Sequence, residues 1–288
     1  MVRRHELTDA AWERIAPLLP AHPGRGGRWR DHRQVLNGIV WKIRTGADWR
    51  DIPERYGPWQ TIYQRFRRWS ADGTWQRLLE HVQAHEDAAG AVDWSAVCVD
   101  STIVRAHQHA AGARKGGTRQ GRTITLGIKA DRPLGRSRGG LTTKLHLATD
   151  GRGLPLAFVL TGGNINDCTE FTRVMAAVRV PRLGLGRPRT RPQHVIADKG
   201  YSSRAIRTYL RRRGISATIP ERVDQLAGRA HRGHRRCAFD PARYKRRNVV
   251  ERCFNRLKQF RGIATRYDKL AVHYQAAVTI ACLLLWLA

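Results

Sequence analysis

The sequence predicts an α/β fold, a mixed sheet flanked by helices, preceded by a small all-α segment of helix-turn-helix type. Three observations predict it. Up to about residue 87 the apolar residues recur only at helical spacing. After a small-residue stretch, Asp87 to Ser95, short β-rich runs begin to alternate with helical ones, the pattern of a sheet with flanking helices. Apolar residues make up 41% of the chain and include nine Trp, enough to bury a core.

In the N-terminal part, Thr8-Asp9 followed by Ala10, Trp12, Ile15, Leu18 and Leu19 predicts a first helix stopped by Pro20. A Gly/Arg loop follows. Val35, Leu36, Ile39, Val40 and Ile43 predict a second helix ending near Gly46. Pro58 opens a third, with Ile62, Phe66 and Trp69 inward and Gln64, Arg65, Arg67 and Arg68 left for solvent or a ligand. Asp72-Gly73 breaks the chain before a fourth helix carrying Trp75, Leu78, Leu79 and Val82. Short helices, brief turns and one basic helix fit a helix-turn-helix whose basic helix would enter a major groove; a plain helical bundle has the same pattern. Overall charge favours the first reading.

In the second part, Ala96 to Val104 reads as a buried strand containing one acid, Asp100. Residues 107–140 are rich in Gly and Arg and read as a long loop. Thr142 to Thr149 alternates as a strand, Asp150-Gly151 and Gly153 turn the chain, and Leu154 to Leu160 forms the hairpin partner. Asn166 or Asp167 can cap a helix running to about Val178. His194 to Ala197 is a short strand ending at Asp198; Ser202 or Ser203 caps a helix that Gly214 stops; Ile215 to Ile219 is a further strand. Gln225 to Asp240 reads as a basic loop. Asp240 to Gly262 reads as one helix, Asp240 its N-cap, Pro241 its first residue, Gly262 its stop. Val249, Val250, Cys253, Phe254, Leu257 and Phe260 share its apolar face, and Tyr244, Arg247, Glu251 and Lys258 share another.

Lys and Arg number 53 against 23 Asp and Glu, a net charge of +30 spread along the chain, which attracts polyanions and above all nucleic acid. Five scattered cysteines without a Cys-x-x-Cys pair indicate free thiols in a reducing compartment, the cytoplasm. The N-terminus has no signal-peptide pattern, and the apolar run Ala276 to Ala288 is too short to span a bilayer, so no membrane partner is expected.

Asp100, Asp198 and Glu251 fall on elements that can converge at one sheet edge. Isolated acids on buried strands of so basic a chain need a partner, either a nearby Arg or a hard divalent cation. His231, His234 and Cys237 lack a fourth ligand at zinc spacing and are read as binding nothing. His107, His109 and His146 read as surface or packing residues, and Asn164 and Asp167 as turn and cap.

At this point the chain resembles bacterial insertion-sequence transposases of the DDE type, specifically the insertion-sequence-five family. Tyr244, Arg247, Glu251 and Lys258 match the signature Tyr-x2-Arg-x3-Glu-x6-Lys; Val-Asp100-Ser-Thr and Ala-Asp198-Lys-Gly-Tyr match the two acid motifs, and Gly135 to Lys144 is similar as well. The resemblance implies a ribonuclease H-like fold. It implies that Asp100, Asp198 and Glu251 are catalytic and hold two Mg²⁺ ions, with Mn²⁺ able to substitute. It implies cleavage at the element's end and attack of the freed 3′ hydroxyl on target DNA. Arg247 and Lys258 would contact DNA phosphates, supported by Tyr244, and the protein would be a homodimer on DNA, bridging two terminal inverted repeats. The expected organisation is a helical DNA-binding domain over 1–87, a linker over 88–95 and the catalytic domain over 96–288, with Arg65, Arg67 and Arg68 among the DNA contacts. A basic DNA-binding regulator without catalysis and a nuclease that cuts without joining are the competing readings; the intact acid triad favours the transposase.

Overall fold

The computed structural model describes residues 3–22, 24, 27–111, 133–233, 235 and 237–288. In chain order the elements are α1 (Asp9–Ile15), α2 (His32–Thr45), α3 (Trp59–Ala71), α4 (Thr74–Ala88), β1 (Val97–Ala106), α5 (Gln108–Ala111), β2 (Gly135–Ser137), β3 (Gly140–Thr149) and β4 (Pro155–Gly162). There follow α6 (Asp167–Ala177), β5 (His194–Ala197), α7 (Arg204–Arg212), β6 (Ser216–Thr218), α8 (Val223–His231), α9 (Pro241–Lys245), α10 (Asn248–Lys258), α11 (Arg261–Ala264), β7 (Thr265–Arg266) and α12 (Ala271–Trp286). This is the expected mixed α/β architecture with an all-helical N-terminal region. Contacts group the described residues into two units that interleave along the chain. One draws on Met1–Val82, Val104–Thr143 and Arg256–Ala288, the other on Gln83–Ile103 and Lys144–Asn255.

In the first unit, side chains satisfy the free N–H groups at the helix starts. Thr8 accepts from the Ala11 N–H at 3.2 Å and Asp31 from the Gln34 N–H at 2.8 Å. Gly46, at φ 72°, ends α2 in the left-handed conformation that glycine adopts without strain. α2 and α3 approach closely at Gly38, where a Cβ would stand 2.9 Å from Ile62 Cδ1. The apolar faces meet there, with Val35, Ile39, Ile62, Phe66 and Trp69 all buried. α12 is buried on nearly every side, so its sequence shows no polar stripe; among the described residues no helix is long and apolar enough to cross a membrane. In this unit the end of β1 pairs in parallel with β7, Arg105 opposite Thr265, and β2 pairs antiparallel with β3.

The second unit is built on a sheet in the order β3-β1-β5-β6, with β4 paired to β3. β1 and β5 are parallel, Val97 opposite Val195 and Val99 opposite Ala197, and β5 and β6 are parallel from His194 opposite Ser216. The β5 residues are all buried, which is why this strand reads as a continuous apolar run. Phe171, Val174 and Met175 of α6 and Ile206 and Leu210 of α7 are buried. Asn166 caps α6 through the Cys168 N–H at 3.0 Å, and Ser203 caps α7 through the Ile206 N–H at 3.1 Å.

Four expectations are corrected. Asp240 to Gly262 is not one helix. Asp240 does cap it, accepting from the Arg243 N–H at 3.0 Å, but α9 stops at Lys245 and α10 starts at Asn248. Two ion pairs hold the break open: Arg246 with Asp93 at 3.0 Å and Arg247 with Asp100 at 2.7 Å. Gly262 lies inside α11, where a Cβ would be 3.0 Å from the Ile43 carbonyl, so it serves close packing and not termination. The basic stretch after Gln225 contains α8, docked by Gln225, whose side chain accepts from Ser202 Oγ at 2.6 Å and donates to the Ser202 carbonyl at 2.8 Å. Arg65, expected to face solvent or a ligand, is 5% exposed. Its guanidinium lies 4.0 Å from the Trp29 ring and 5.2 Å from the Trp69 ring and bonds His32 Nδ1 at 2.7 Å, so aromatic stacking holds it in the interior. Arg67 and Arg68 are exposed as expected. Most of the loop read over 107–140, together with His234, lies outside the described residues.

Candidate active site

The register of the sheet brings the first two acids together. Val99 of β1 stands opposite Ala197 of β5, so the next residues, Asp100 and Asp198, are neighbours on adjacent parallel strands roughly 4.8 Å apart. Asp100 accepts from the Ser101 N–H at 2.8 Å and from Arg247 Nη1 at 2.7 Å. Asp198 Oδ1 accepts from the Gly200 N–H at 2.9 Å and caps the single 3₁₀ turn Lys199–Tyr201. A Cβ on Gly200 would fall 2.9 Å from that same oxygen, so glycine is needed for the turn to close on the carboxylate.

The third acid reaches the pair through Arg247. The guanidinium donates from Nη1 to Asp100 and from Nη2 to Glu251 Oε1, and it lies 5.9 Å from the Tyr244 ring. The Arg247 and Asp100 side chains are 20% and 18% exposed, that of Glu251 47%. The cation therefore links one sheltered carboxylate to one facing solvent. Burial raises the Asp100 pKa; the Ser101 N–H and the Arg247 charge oppose that shift and the Asp198 charge adds to it. For Arg247, burial disfavours the charge, but Asp100 and Glu251 outweigh it and the pKa is raised. Lys258 lies on α10 seven residues beyond Glu251, roughly 10 Å along the helix axis. Arg65, Arg67 and Arg68 lie on α3, in the first unit. Among the described residues no three His, Cys, Asp or Glu side chains stand close enough together to enclose an ion as they are placed.

Sequence reasoning missed a second group of residues at this place. Ser101 Oγ donates to Asp167 Oδ1 at 2.8 Å, and Lys144 Nζ lies 3.0 Å from the same oxygen. The His146 Nδ1 atom is 3.7 Å away. The Tyr201 hydroxyl is buried, its pKa raised by burial and then by the charges of Asp167, Asp100 and Asp198. The available signal was the alternation of β3, which puts Lys144 and His146 two residues apart on one face of a strand buried from Thr142 onward. A charged residue on such a face requires a partner.

Residues 94–286 match the family model described as "Transposase DDE domain". The chain belongs to the DDE transposase family. Residues 7–79 match a second model, "Putative transposase of IS4/5 family". The "Putative transposase for insertion sequence element IS402" of Burkholderia cepacia is 35% identical over 153 residues, 53% of this chain and 65% of that protein. The "Putative transposase for insertion sequence element IS6501" of Brucella ovis is 31% identical over 147 residues, 51% of this chain and 99% of that protein. Among solved structures, the Mos1 transposase paired-end complex with left transposon end aligns over 86% of this chain and 82% of that one, at 12% identity and a TM-score of 0.26. Family membership makes this DDE transposase a metal-dependent enzyme of DNA cleavage and transposition.

Proposed function

We propose that Asp100, Asp198 and Glu251 are the catalytic carboxylates of this transposase and hold two Mg²⁺ ions on a ribonuclease H-like sheet. The observation that carries the reading is the register of β1 and β5, which makes Asp100 and Asp198 neighbours, with Glu251 tied to Asp100 through one guanidinium. The donor set fits hard cations. All the ligating atoms are carboxylate oxygens, and burial together with the Asp198 charge raises the Asp100 pKa, so a cation beside Asp100 would favour its charged form. Divalent ions held by these carboxylates would supply activation of a water or hydroxyl and stabilisation of the leaving oxygen of a phosphodiester.

The remaining roles fall to the protein. The Arg247 charge opposes the burial that raises the Asp100 pKa, and its guanidinium can exchange a carboxylate for a DNA phosphate oxygen of similar geometry. Lys258, further along α10, contacts the phosphates nearer the cleaved end, and Tyr244 supports Arg247 from the side. In the cleavage step the water oxygen bonds to phosphorus, the phosphorus bond to the 3′ oxygen breaks, and a 3′ hydroxyl and 5′ phosphate remain. In the joining step that hydroxyl attacks a target phosphodiester and displaces its 3′ oxygen. The helical segment 1–87, with Arg67 and Arg68 exposed on α3, binds the terminal inverted repeat, and a homodimer pairs the two ends.

The test is strand cleavage of a labelled duplex carrying the repeats that flank this coding sequence. With Mg²⁺ the parent cuts, and Asp100→Ala, Asp198→Ala and Glu251→Ala each lose cleavage while still retarding the duplex in a gel. Cutting at the parent rate by any of the three overturns its assignment.

A further inference from the structure

Asp167 occupies the first position of α6, where a carboxylate ordinarily serves the free N–H groups of the helix. Here Asn166 makes the capping bond, and the Asp167 carboxylate is turned towards the sheet instead. Its Oδ1 accepts from Ser101 Oγ at 2.8 Å and faces Lys144 Nζ at 3.0 Å. Lys144, with 11% of its side chain exposed, is fixed by a second bond of 2.7 Å to the Ile165 carbonyl. Ser101 in turn donates its N–H to Asp100 Oδ1 at 2.8 Å. One residue therefore connects the Asp167 carboxylate to the Asp100 carboxylate.

Two buried polar atoms beside this chain of bonds point to a ligand. His146 is fully buried; its Nε2 is paired with Thr161 Oγ1 at 2.8 Å, but its Nδ1 makes no hydrogen bond among the described residues, although it faces Asp167 at 3.7 Å. Tyr201 is 1% exposed, and its hydroxyl, in the field of Asp167, Asp100 and Asp198 together, interacts with the Ser101 side chain but makes no hydrogen bond of full geometry among the described residues. A buried hydroxyl without a partner costs on the order of 1–3 kcal/mol, and such a cost is met when a water or ligand supplies the missing bond. The water shell of a cation between Asp100 and Asp198 would supply it.

We propose that Asp167 is a positioning residue for the Asp100–Asp198 pair, and that Asp167, Ser101, Lys144 and Tyr201 form the outer cradle of a hydrated divalent cation. This rests on the reading of Asp100 and Asp198 as metal ligands. Asp167 fixes Ser101, Ser101 fixes one Asp100 oxygen, and Lys144 balances the added negative charge. The Tyr201 hydroxyl, beside Ser101, can donate to a water on the ion.

The experiment is titration of the full-length, DNA-free protein with Mn²⁺, followed by the electron paramagnetic resonance signal of the free ion, alongside thermal unfolding and cleavage at varied Mg²⁺. Asp167→Asn keeps the size and can still accept from Ser101 but loses the charge that faces Lys144. It is expected to weaken Mn²⁺ binding by about 10- to 100-fold, the usual effect of removing an outer-shell partner. It should also raise the Mg²⁺ needed for half-maximal cleavage and leave element-end binding and the unfolding midpoint near those of the parent. Ser101→Ala, a smaller change, is expected to shift Mn²⁺ binding in the same direction and decides the matter if Asp167→Asn does not fold. Parent-like Mn²⁺ binding by a folded Asp167→Asn, or by Ser101→Ala in its place, overturns the inference and leaves Asp167 as the ion-pair partner of Lys144. Asp100→Asn and Asp198→Asn separate the two levels. If they too bind Mn²⁺ like the parent, the metal-site reading itself fails; if they lose binding while Asp167→Asn keeps it, only the outer cradle fails.

Discussion

Arg247 carries two ion pairs that the structure makes unequal, and the inequality can be measured. Replacing Arg247 with Met keeps the aliphatic stem and removes both pairs. With Asp100 the geometry is close, 2.7 Å, and both side chains are about four-fifths sheltered. Taking about 4 Å between charge centres and an effective dielectric constant of about 20, the attraction is about 4 kcal/mol. Desolvation of the two groups offsets part of it, which leaves a coupling of about 2–3 kcal/mol. With Glu251 the pair spans one helical turn and the carboxylate is 47% exposed, so solvent and salt reduce the coupling to about 0.3–0.5 kcal/mol. The assay is a pair of double-mutant cycles read by urea unfolding in metal-free buffer, Arg247→Met with Asp100→Asn and Arg247→Met with Glu251→Gln. High salt should abolish the Glu251 coupling and leave most of the Asp100 coupling. Equal couplings, or a larger one to Glu251, would refute the placement of Arg247 as the counter-ion of the sheltered acid.

Four further outcomes follow from named contacts. Burial raises the Asp100 pKa above its ordinary 3.8, so the folded chain holds that proton more tightly than the unfolded chain; metal-free stability should fall as pH rises from there through the folded pKa, and Asp100→Asn should show a smaller fall by thermal melting. Arg65→Ala should cost about 2–4 kcal/mol in urea unfolding by emptying the space between Trp29 and Trp69, whereas Arg67→Ala should change stability by under about 0.5 kcal/mol and weaken DNA retardation. Gly153→Ala should cost about 1–3 kcal/mol, because φ is 88° there and the new Cβ would stand 2.9 Å from the Val249 carbonyl at the start of α10. Glu251→Gln should abolish cleavage while preserving end binding, and Lys258→Ala should weaken end binding first, both measured on the same labelled duplex.

The sequence was most legible where local rules decide. Thr8 caps the helix it was expected to begin, Asn166 and Ser203 prove to be the caps among the two candidates at each start, and the apolar face of α10 is buried from Val249 to Leu257. It was least legible where a partner distant in sequence overrides the local pattern. Helical periodicity cannot register that Arg246 is drawn to Asp93, 153 positions away in the chain, and Arg247 to Asp100, so the interruption of Asp240 to Gly262 was not foreseeable. Arg65 reads as a surface residue because its burial depends on Trp29 and His32 from outside its own helix. Asp167 reads as a cap because its position is right for one; only the packing shows its carboxylate serving Ser101 and Lys144.

The interruption between α9 and α10 also has a bearing on the chemistry. In one continuous helix Glu251 would sit in the middle, where the backbone dipoles give a carboxylate no preference. Because α10 starts at Asn248, Glu251 lies in its first turn, where the positive end of the helix dipole favours a negative charge by about 0.3–1 kcal/mol. The same origin places Arg247 just ahead of the helix, where a cation is disfavoured unless acids surround it. Asp100 and Glu251 are those acids, and the proposed contact to a DNA phosphate would require Arg247 to release one of them. The metal-free protein is therefore neutralised from within: burial and Asp198 work against the Asp100 charge, and Arg247 compensates. On the proposed reading, a cation held between Asp100 and Asp198 would take over that compensation, and the guanidinium it freed would already be one helical turn from Glu251.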